Sequence, residues 1–320
     1  VVLLVTVLFL VIGLSVLFFG AHFLVNGSSS LAKRLSISEM AIGLTVVAFG
    51  TSTPELMVNI FSSSSGHSDI VFGNIIGSNI FNILIILGIS GVIYPLTVQS
   101  NTVWKEIPFS FLAVLLLFIL ANDRILLHSS QNELSSLDGL VFMGLFIVFL
   151  VYVFGISCIV STDTLMVKVY SPLKTVLFIV IGFGCLFVGG KLVIDNSILL
   201  ARQLSVSEKL IAITIVAGGT SLPELAASVV AAYKKKCDIA IGNIVGSNIF
   251  NIFFILGICS FMKGSPYNPA FNLDLLVLFA ATLVLFVTMF TGSSRRLDRW
   301  EAIVFVVTYI IYLIFLFHRR

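Results

Sequence analysis

Residues 50–56 read Gly50-Thr51-Ser52-Thr53-Pro54-Glu55-Leu56, and residues 73–82 read Gly73-Asn74-Ile75-Ile76-Gly77-Ser78-Asn79-Ile80-Phe81-Asn82. Both stretches return, as Gly219-Thr220-Ser221-Leu222-Pro223-Glu224-Leu225 and Gly242-Asn243-Ile244-Val245-Gly246-Ser247-Asn248-Ile249-Phe250-Asn251, each displaced by 169 positions. Without a gap, 41–90 against 210–259 keeps 26 identities in 50, and Phe18, Gly20, Ser28, Ala32, Leu35, Ser36, Ser38 and Glu39 match at the same displacement. Apolar helices come to resemble one another by exchanging Leu for Val, not by repeating Pro-Glu in one register. The chain is a duplicated unit.

The surroundings of these motifs set the solvent. Of 320 residues, 58% are apolar and only 10% charged, and the mean hydropathy is +1.15. Water-soluble domains carry about 25% charged residues, so this chain expects lipid. A cytosolic enzyme, a nucleic-acid reader and a disordered protein are excluded together. The formal charge of +3 suggests no polyanionic partner. Cys158, Cys185, Cys237 and Cys259 have no C-x-x-C or metal spacing and read as small apolar fillers.

A helix needs about 20 mostly apolar residues to cross the hydrocarbon core. Ten such runs are expected, near 3–25, 38–62, 70–93, 107–122, 137–157, 174–195, 208–232, 239–261, 272–291 and 300–317. None shows the short alternating segments of a β-barrel. The first lacks the basic leader and small-residue cleavage pattern of a signal peptide and counts as a span. The expected fold is an all-α membrane protein of ten transmembrane helices in two five-helix repeats. Residues 1–160 form the first repeat, 161–175 a polar linker and 176–320 the second. Because each unit holds an odd number of spans, five, with four between equivalent helices, those helices cross in opposite directions and the repeats are inverted, as in many secondary transporters.

Lysine and arginine set the orientation. Loops after odd-numbered spans hold Lys33, Arg34, Lys105, Lys168, Lys174, Lys234, Lys235, Lys236, Arg295, Arg296 and Arg299. The opposite side holds Arg124, Arg202, Lys209, Lys263, Arg319 and Arg320. The positive-inside bias expects the richer side in the cytoplasm, both termini outside, and residence in a plasma (inner) membrane. Lys234-Lys235-Lys236 reads as an anchor to anionic headgroups, and Lys191 with Asp195 as an ion pair or a snorkelling pair. Asp69 and Asp238 read as helix N-caps.

Glu55 and Glu224 fall about midway along spans two and seven. An acid at the bilayer centre costs roughly 2.5–3.5 kcal/mol on the insertion scale, so each must face protein, water or an ion. Pro54 and Pro223 remove a helical N–H and loosen the helix around Gly50 and Gly219. Carbonyls near Thr51 and Thr220 can then turn into a cavity, where a membrane tolerates irregular backbone. Ser52, Ser221, Ser78, Ser247, Asn82 and Asn251 add neutral oxygens. Ser78 with Asn82, and Ser247 with Asn251, are four apart and are expected on one helix face. Gly73, Gly77, Gly242 and Gly246 read instead as packing glycines. With oxygen alone on offer, the set suits Ca²⁺, which accepts a mixed and flexible oxygen shell, and Na⁺ beside it.

These paired motifs resemble the α-repeats of the calcium/cation antiporter superfamily, specifically its prokaryotic-type sodium/calcium exchangers. The resemblance implies that spans two, three, seven and eight surround the ions while spans one and six slide against them. It implies Ca²⁺ at Glu55 and Glu224 with the backbones of Thr51 and Thr220. It assigns Na⁺ to Ala48, Ser52, Ser78, Ala217, Ser221 and Ser247. Asn82 and Asn251 are expected as polar residues of a central site; several relatives, the potassium-dependent branch among them, carry Asp where this chain has Asn251, which argues against a K⁺ requirement. Proton-coupled relatives resemble Gly-Asn-Ala-x-Glu at the first motif, and its absence favours Na⁺ as the driving ion.

The expected function is therefore Ca²⁺ exchange against Na⁺ by alternating access, with Ca²⁺ and Na⁺ as cargo and no resident cofactor. The lipid bilayer is the expected partner, nucleic acid is not, and a monomer is expected to suffice. H⁺/Ca²⁺ or K⁺-dependent exchange at the same site is the alternative. A cation channel is more remote, since two inverted halves suit rocking better than a pore. An intramembrane hydrolase lacks an H-E-x-x-H or any nucleophile–base set.

Overall fold

Hydrocarbon offers backbone N–H and C=O groups no partner but each other, so long apolar runs fold as helices. The computed structural model describes residues 2–123, 131–157, 169–203, 217–292 and 295–318. Among them, eight helices are long and apolar enough to cross a bilayer: Val5–Leu35, Ser68–Ile93, Thr102–Ala121, Ser136–Gly155, Pro172–Leu200, Cys237–Met262, Pro269–Thr288 and Arg299–His318. One further span is bent by 49° between Glu39–Thr51 and Thr53–Ser64. The seventh of the expected ten is described as Ala217–Gly219 and Leu222–Tyr233, its beginning lying outside the described residues. The protein is an all-helical, multi-pass membrane protein, and its spans are numbered one to ten in chain order.

The inversion is visible where spans one and six meet. Gly13 abuts Leu192, Gly20 abuts Cys185 and Gly27 abuts Ile179, so rising numbers on one helix meet falling numbers on the other. A direct repeat would have set these equivalent helices parallel. Their backbones touch because the seam is made of glycine: a Cβ on Gly20 would stand 2.7 Å from the Cβ of Cys185, and one on Gly182 only 2.8 Å from the amide nitrogen of Leu24. Gly13 and Gly20 are the 169-residue equivalents of Gly182 and Gly189.

The loops sort into two ends. At one, Leu96–Thr97 pairs with Arg296–Leu297, Lys236 Nζ lies 2.8 Å from Glu39, and Arg34 donates to the carbonyl of Tyr170. At the other, Glu133–Leu134 pairs with Ser265–Pro266, and Asn122 and Asn272 exchange amide hydrogen bonds. The first set belongs to loops after odd-numbered spans, as the ten-span reading requires.

Burial separates the inner helices from the outer ones. The apolar windows of spans three and eight are 67% and 83% buried, while those of the other unbroken spans are 17–39% buried. Outer faces carry the exposed bulk, among them Phe19, Val151 and Ile311.

Several expected boundaries move. Span one continues from Val25 to Leu35 and span six runs over Pro172–Gln203. Hydropathy marked the end of span one at Val25 because polar residues follow, but Ser28, Ser29 and Ser30 are buried against protein rather than exposed to lipid. Of the linker expected over 161–175, residues 161–168 lie outside the described residues. Cys185, Cys237 and Cys259 are free thiols, and Cys158 lies outside the described residues.

The triple lysine makes its contacts within the protein. Lys234 Nζ reaches Asn26 Oδ1 at 2.8 Å and the His22 carbonyl at 3.3 Å, Lys236 pairs with Glu39, and Lys235 lies over the ring of Tyr94. Burial, and secondarily Lys236, pushes the Lys234 ammonium down to about 8. Lys191 and Asp195 are exposed with no ion pair between them. Asp69 and Asp238 sit in the first turns of spans three and eight, not at the caps, which are His67 and Lys236.

Candidate ion-binding site

The two prolines break their helices at equivalent points. Ser52 has φ −82° and ψ 9°, Ser221 φ −87° and ψ 9°, and each precedes a new half-helix that begins at Thr53 or Leu222. The break thus falls two residues past Gly50 and Gly219. Proline fits there because the first-turn N–H it lacks has no helical partner anyway. Glu55 and Glu224 consequently stand in the first turn of a half-helix, where unpaired N–H groups and the helix dipole favour negative charge.

The half-helices cross so that each glutamate is held by the opposite repeat. Ser52 donates to Glu224 Oε1 at 2.8 Å, and Ser221 donates to Glu55 Oε1 at 3.1 Å. All four side chains are buried. The Ser247 hydroxyl lies 2.9 Å from that of Ser52.

A second layer is a square of four asparagines across the pseudo-two-fold axis. Asn79 Nδ2 donates to the Asn248 carbonyl at 3.2 Å, and Asn248 Nδ2 to the Asn79 carbonyl at 3.3 Å. Asn82 Nδ2 donates to Asn248 Oδ1, and Asn251 Nδ2 to Asn79 Oδ1, both at 2.9 Å. Equivalent residues therefore exchange equivalent bonds. Spending their N–H groups this way leaves Asn82 and Asn251 with bare oxygens. Asn79 and Asn248 were passed over as site residues in the sequence, although both recur in the quoted motifs; their recurrence was the available signal.

The consequence is a set of buried acceptor oxygens without partners. Glu55 Oε2, Glu224 Oε2, Asn82 Oδ1 and Asn251 Oδ1 are all buried and unbonded, two from each repeat. Protein interiors rarely leave such oxygens unpaired. A cation suits oxygens of this kind, because each is an acceptor and none is a donor.

Span three turns from α- to π-helix at Asn82, and span eight at Phe250. Asn82 bonds across to Asn248 of span eight, while Ser78 donates back along its own helix to Asn74. Gly242 and Gly246 are packing glycines as expected: a Cβ on either would lie within 2.9 Å of the carbonyl of Met40 or Leu44 on span two.

The two halves of the cage differ. Thr51 donates to Asn243 Oδ1 at 3.0 Å, and Asn243 donates to Ser228 at 2.9 Å. At the equivalent position the Thr220 hydroxyl is buried without a partner. The cage is knitted toward the lysine-rich end and looser toward the other. Ala48 gives its carbonyl to the Ser52 N–H at 3.0 Å, and Ala217 is the first described residue of the helix before the break in span seven.

Ten spans in two inverted halves, with paired mid-span carboxylates in an all-oxygen cage at the seam, define a secondary cation transporter. The sodium/calcium exchanger protein family matches residues 5–155 and 174–318, and the chain belongs to that family of membrane transporters. It is 36% identical to a putative antiporter, CaxA, of Alkalimonas amylolytica, over 98% of this chain and 99% of that one. It is 31% identical to the sodium/calcium exchanger MaX1 of Methanosarcina acetivorans, over 97% and 98%, and 32% identical to the inner membrane protein YrbG of Escherichia coli K12, over 86% of each. Among solved structures, the sodium–calcium exchanger NCX_Mj soaked with 10 mM Na⁺ and no Ca²⁺ superposes with a TM-score of 0.83 at 31% identity, over 97% and 98% of the chains.

Proposed function

We propose that this protein exports Ca²⁺ against inward Na⁺ by alternating access, at a cage built from Glu55, Glu224, Thr51 and Thr220 for Ca²⁺. Ala48, Ser52, Ser78, Ala217, Ser221 and Ser247 serve Na⁺, and Asn82 and Asn251 close the centre. The observation that carries this reading is the quartet of partnerless oxygens on Glu55, Glu224, Asn82 and Asn251. Two carboxylates balance one Ca²⁺ or two monovalent cations. An occupied, neutral cage can pass an apolar barrier that an empty, doubly charged one cannot, so exchange proceeds without leak. Family membership and the NCX_Mj superposition support Na⁺ as the partner ion. The units 1–160 and 176–320 are the two repeats, spans one and six slide as a pair against the rest, a monomer suffices, and the termini lie outside an inner membrane.

The test is ⁴⁵Ca²⁺ flux into proteoliposomes under imposed Na⁺, K⁺ or H⁺ gradients. Uptake driven by outward Na⁺ alone is expected; uptake driven equally by H⁺ would transfer the coupling to protons. Ser52→Ala removes a hydrogen bond to a charged group, worth about 1.5–3 kcal/mol, and should weaken apparent Na⁺ affinity roughly tenfold or more. Unchanged Na⁺ activation curves would remove Ser52 from the site. Acid should inhibit, because protons compete with cations for the same carboxylates: the sign is weaker apparent Ca²⁺ affinity as pH falls. A flat affinity from neutral to acidic pH would contradict carboxylate ligation.

A further inference from the structure

Away from the cage, one buried carboxylate is unexplained. Glu106 is 5% exposed at the start of span four, at the lysine-rich end of the molecule. Its Oε1 accepts a hydrogen bond from Tyr152 at 2.6 Å, while its Oε2 is buried with no partner. One helical turn earlier, the Thr102 hydroxyl is also fully buried with no partner. Both line a cavity of about 30 Å³ between the starts of spans two and four and the end of span five, with Ser38, Gln99, Asn101 and Tyr152 adding polar groups. That volume suits a cation with a water or two.

The backbone singles out the same place. Among the described residues there are four π-helical segments, and three of them, Gly43–Val47, Asn82–Ile86 and Phe250–Leu256, lie on the spans that build the central cage. The fourth is Thr102–Glu106. Single π segments inside α-helices concentrate at functional sites, and this one has no part in the central cage.

We propose that Glu106, Thr102 and the polar wall of this cavity form a second cation site, selective for a monovalent ion and filled by Na⁺ from the lysine-rich side. A lone carboxylate among neutral oxygens balances one positive charge, whereas Ca²⁺ favours more carboxylate ligands. The charges beside it are Lys105, whose Nζ rests over the Tyr152 ring 5.6 Å from its centre, the Glu39–Lys236 pair next to the lining residue Ser38, and Asp238, which accepts from Gln99. Leu44 on the cavity wall precedes Thr51 by seven residues of span two, roughly 10 Å of helix. Occupancy here can therefore bear on the cage along span two. The inference rests on the exchanger reading only for the choice of Na⁺.

Trp104, exposed and two residues from Glu106, is a built-in reporter; the chain's one other tryptophan is Trp300. In full-length Trp300→Phe protein, Trp104 fluorescence is titrated with NaCl, KCl or choline chloride at constant ionic strength. A saturable, Na⁺-specific change is expected that persists in Glu55→Gln/Glu224→Gln and is weakened at least about tenfold by Glu106→Gln. Thr102→Val, which preserves the charge, should weaken it less and covers the case in which Glu106→Gln does not fold. Absence of a Na⁺-specific change, an equal response to K⁺, or a response lost with the central glutamates and kept in Glu106→Gln would each overturn the site. Flux through the central cage is scored separately: if Glu55→Gln/Glu224→Gln still exchanges Ca²⁺, the exchanger reading fails while the Trp104 titration still decides this one.

Discussion

Glu224→Gln, and independently Glu55→Gln, should reduce Na⁺-driven ⁴⁵Ca²⁺ uptake to background. Each substitution is nearly isosteric, so the half-helix and its proline break are retained, and Ser52 or Ser221 can still donate to the remaining amide oxygen. What disappears is one of two charges in a buried cage. Removing one member of a buried, paired set costs about 3–5 kcal/mol, which is roughly two to three and a half powers of ten in Ca²⁺ affinity. The near-symmetry of the Ser52–Glu224 and Ser221–Glu55 bonds, 2.8 and 3.1 Å, predicts losses of similar size at the two sites. Full activity in either variant would discard the cage.

Gly182→Ala should be a damaging small change outside the cage. Its new methyl carbon would lie 2.8 Å from the amide nitrogen of Leu24 and 2.9 Å from its Cα. Backbone on a straight helix cannot step aside locally, so spans one and six must part along their shared length. Overpacking of this kind costs about 1–3 kcal/mol. We expect a lower unfolding temperature in detergent and exchange reduced by about tenfold, since the same seam is where a sliding pair must stay in register. Gly184→Ala, two residues along the same helix, meets no atom within 4 Å and is the control. Equal behaviour of the two variants would show that the seam does not constrain transport.

Much of this was legible in the chain because lipid leaves few options. A carboxylate that recurs at a fixed displacement in an apolar run has no bland place to go, which is how Glu55 and Glu224 stood out. The repeat announced the inversion, since a unit with an odd number of crossings must invert its copy. Other features were invisible to periodicity. Ser28, Ser29 and Ser30 looked like the end of span one because hydropathy cannot distinguish a polar residue facing protein from one facing water. Asn79 and Asn248 looked like ordinary polar neighbours of the expected ligands until the two copies were brought face to face.

The sequence by itself determined the solvent, the number of crossings, the duplicated unit and the acids at its centre, because each follows from composition or from exact recurrence along one strand of chain. Only the tertiary structure decided which oxygens are free. That depends on how hydrogen-bond donors are used up between the repeats: Ser52 by Glu224, Asn82 by Asn248, Asn251 by Asn79. It depends as well on π turns at Asn82 and Phe250 that no local propensity announces. Donor and acceptor accounts close across the seam, not along the chain, and so the cage exists only once the two halves have met.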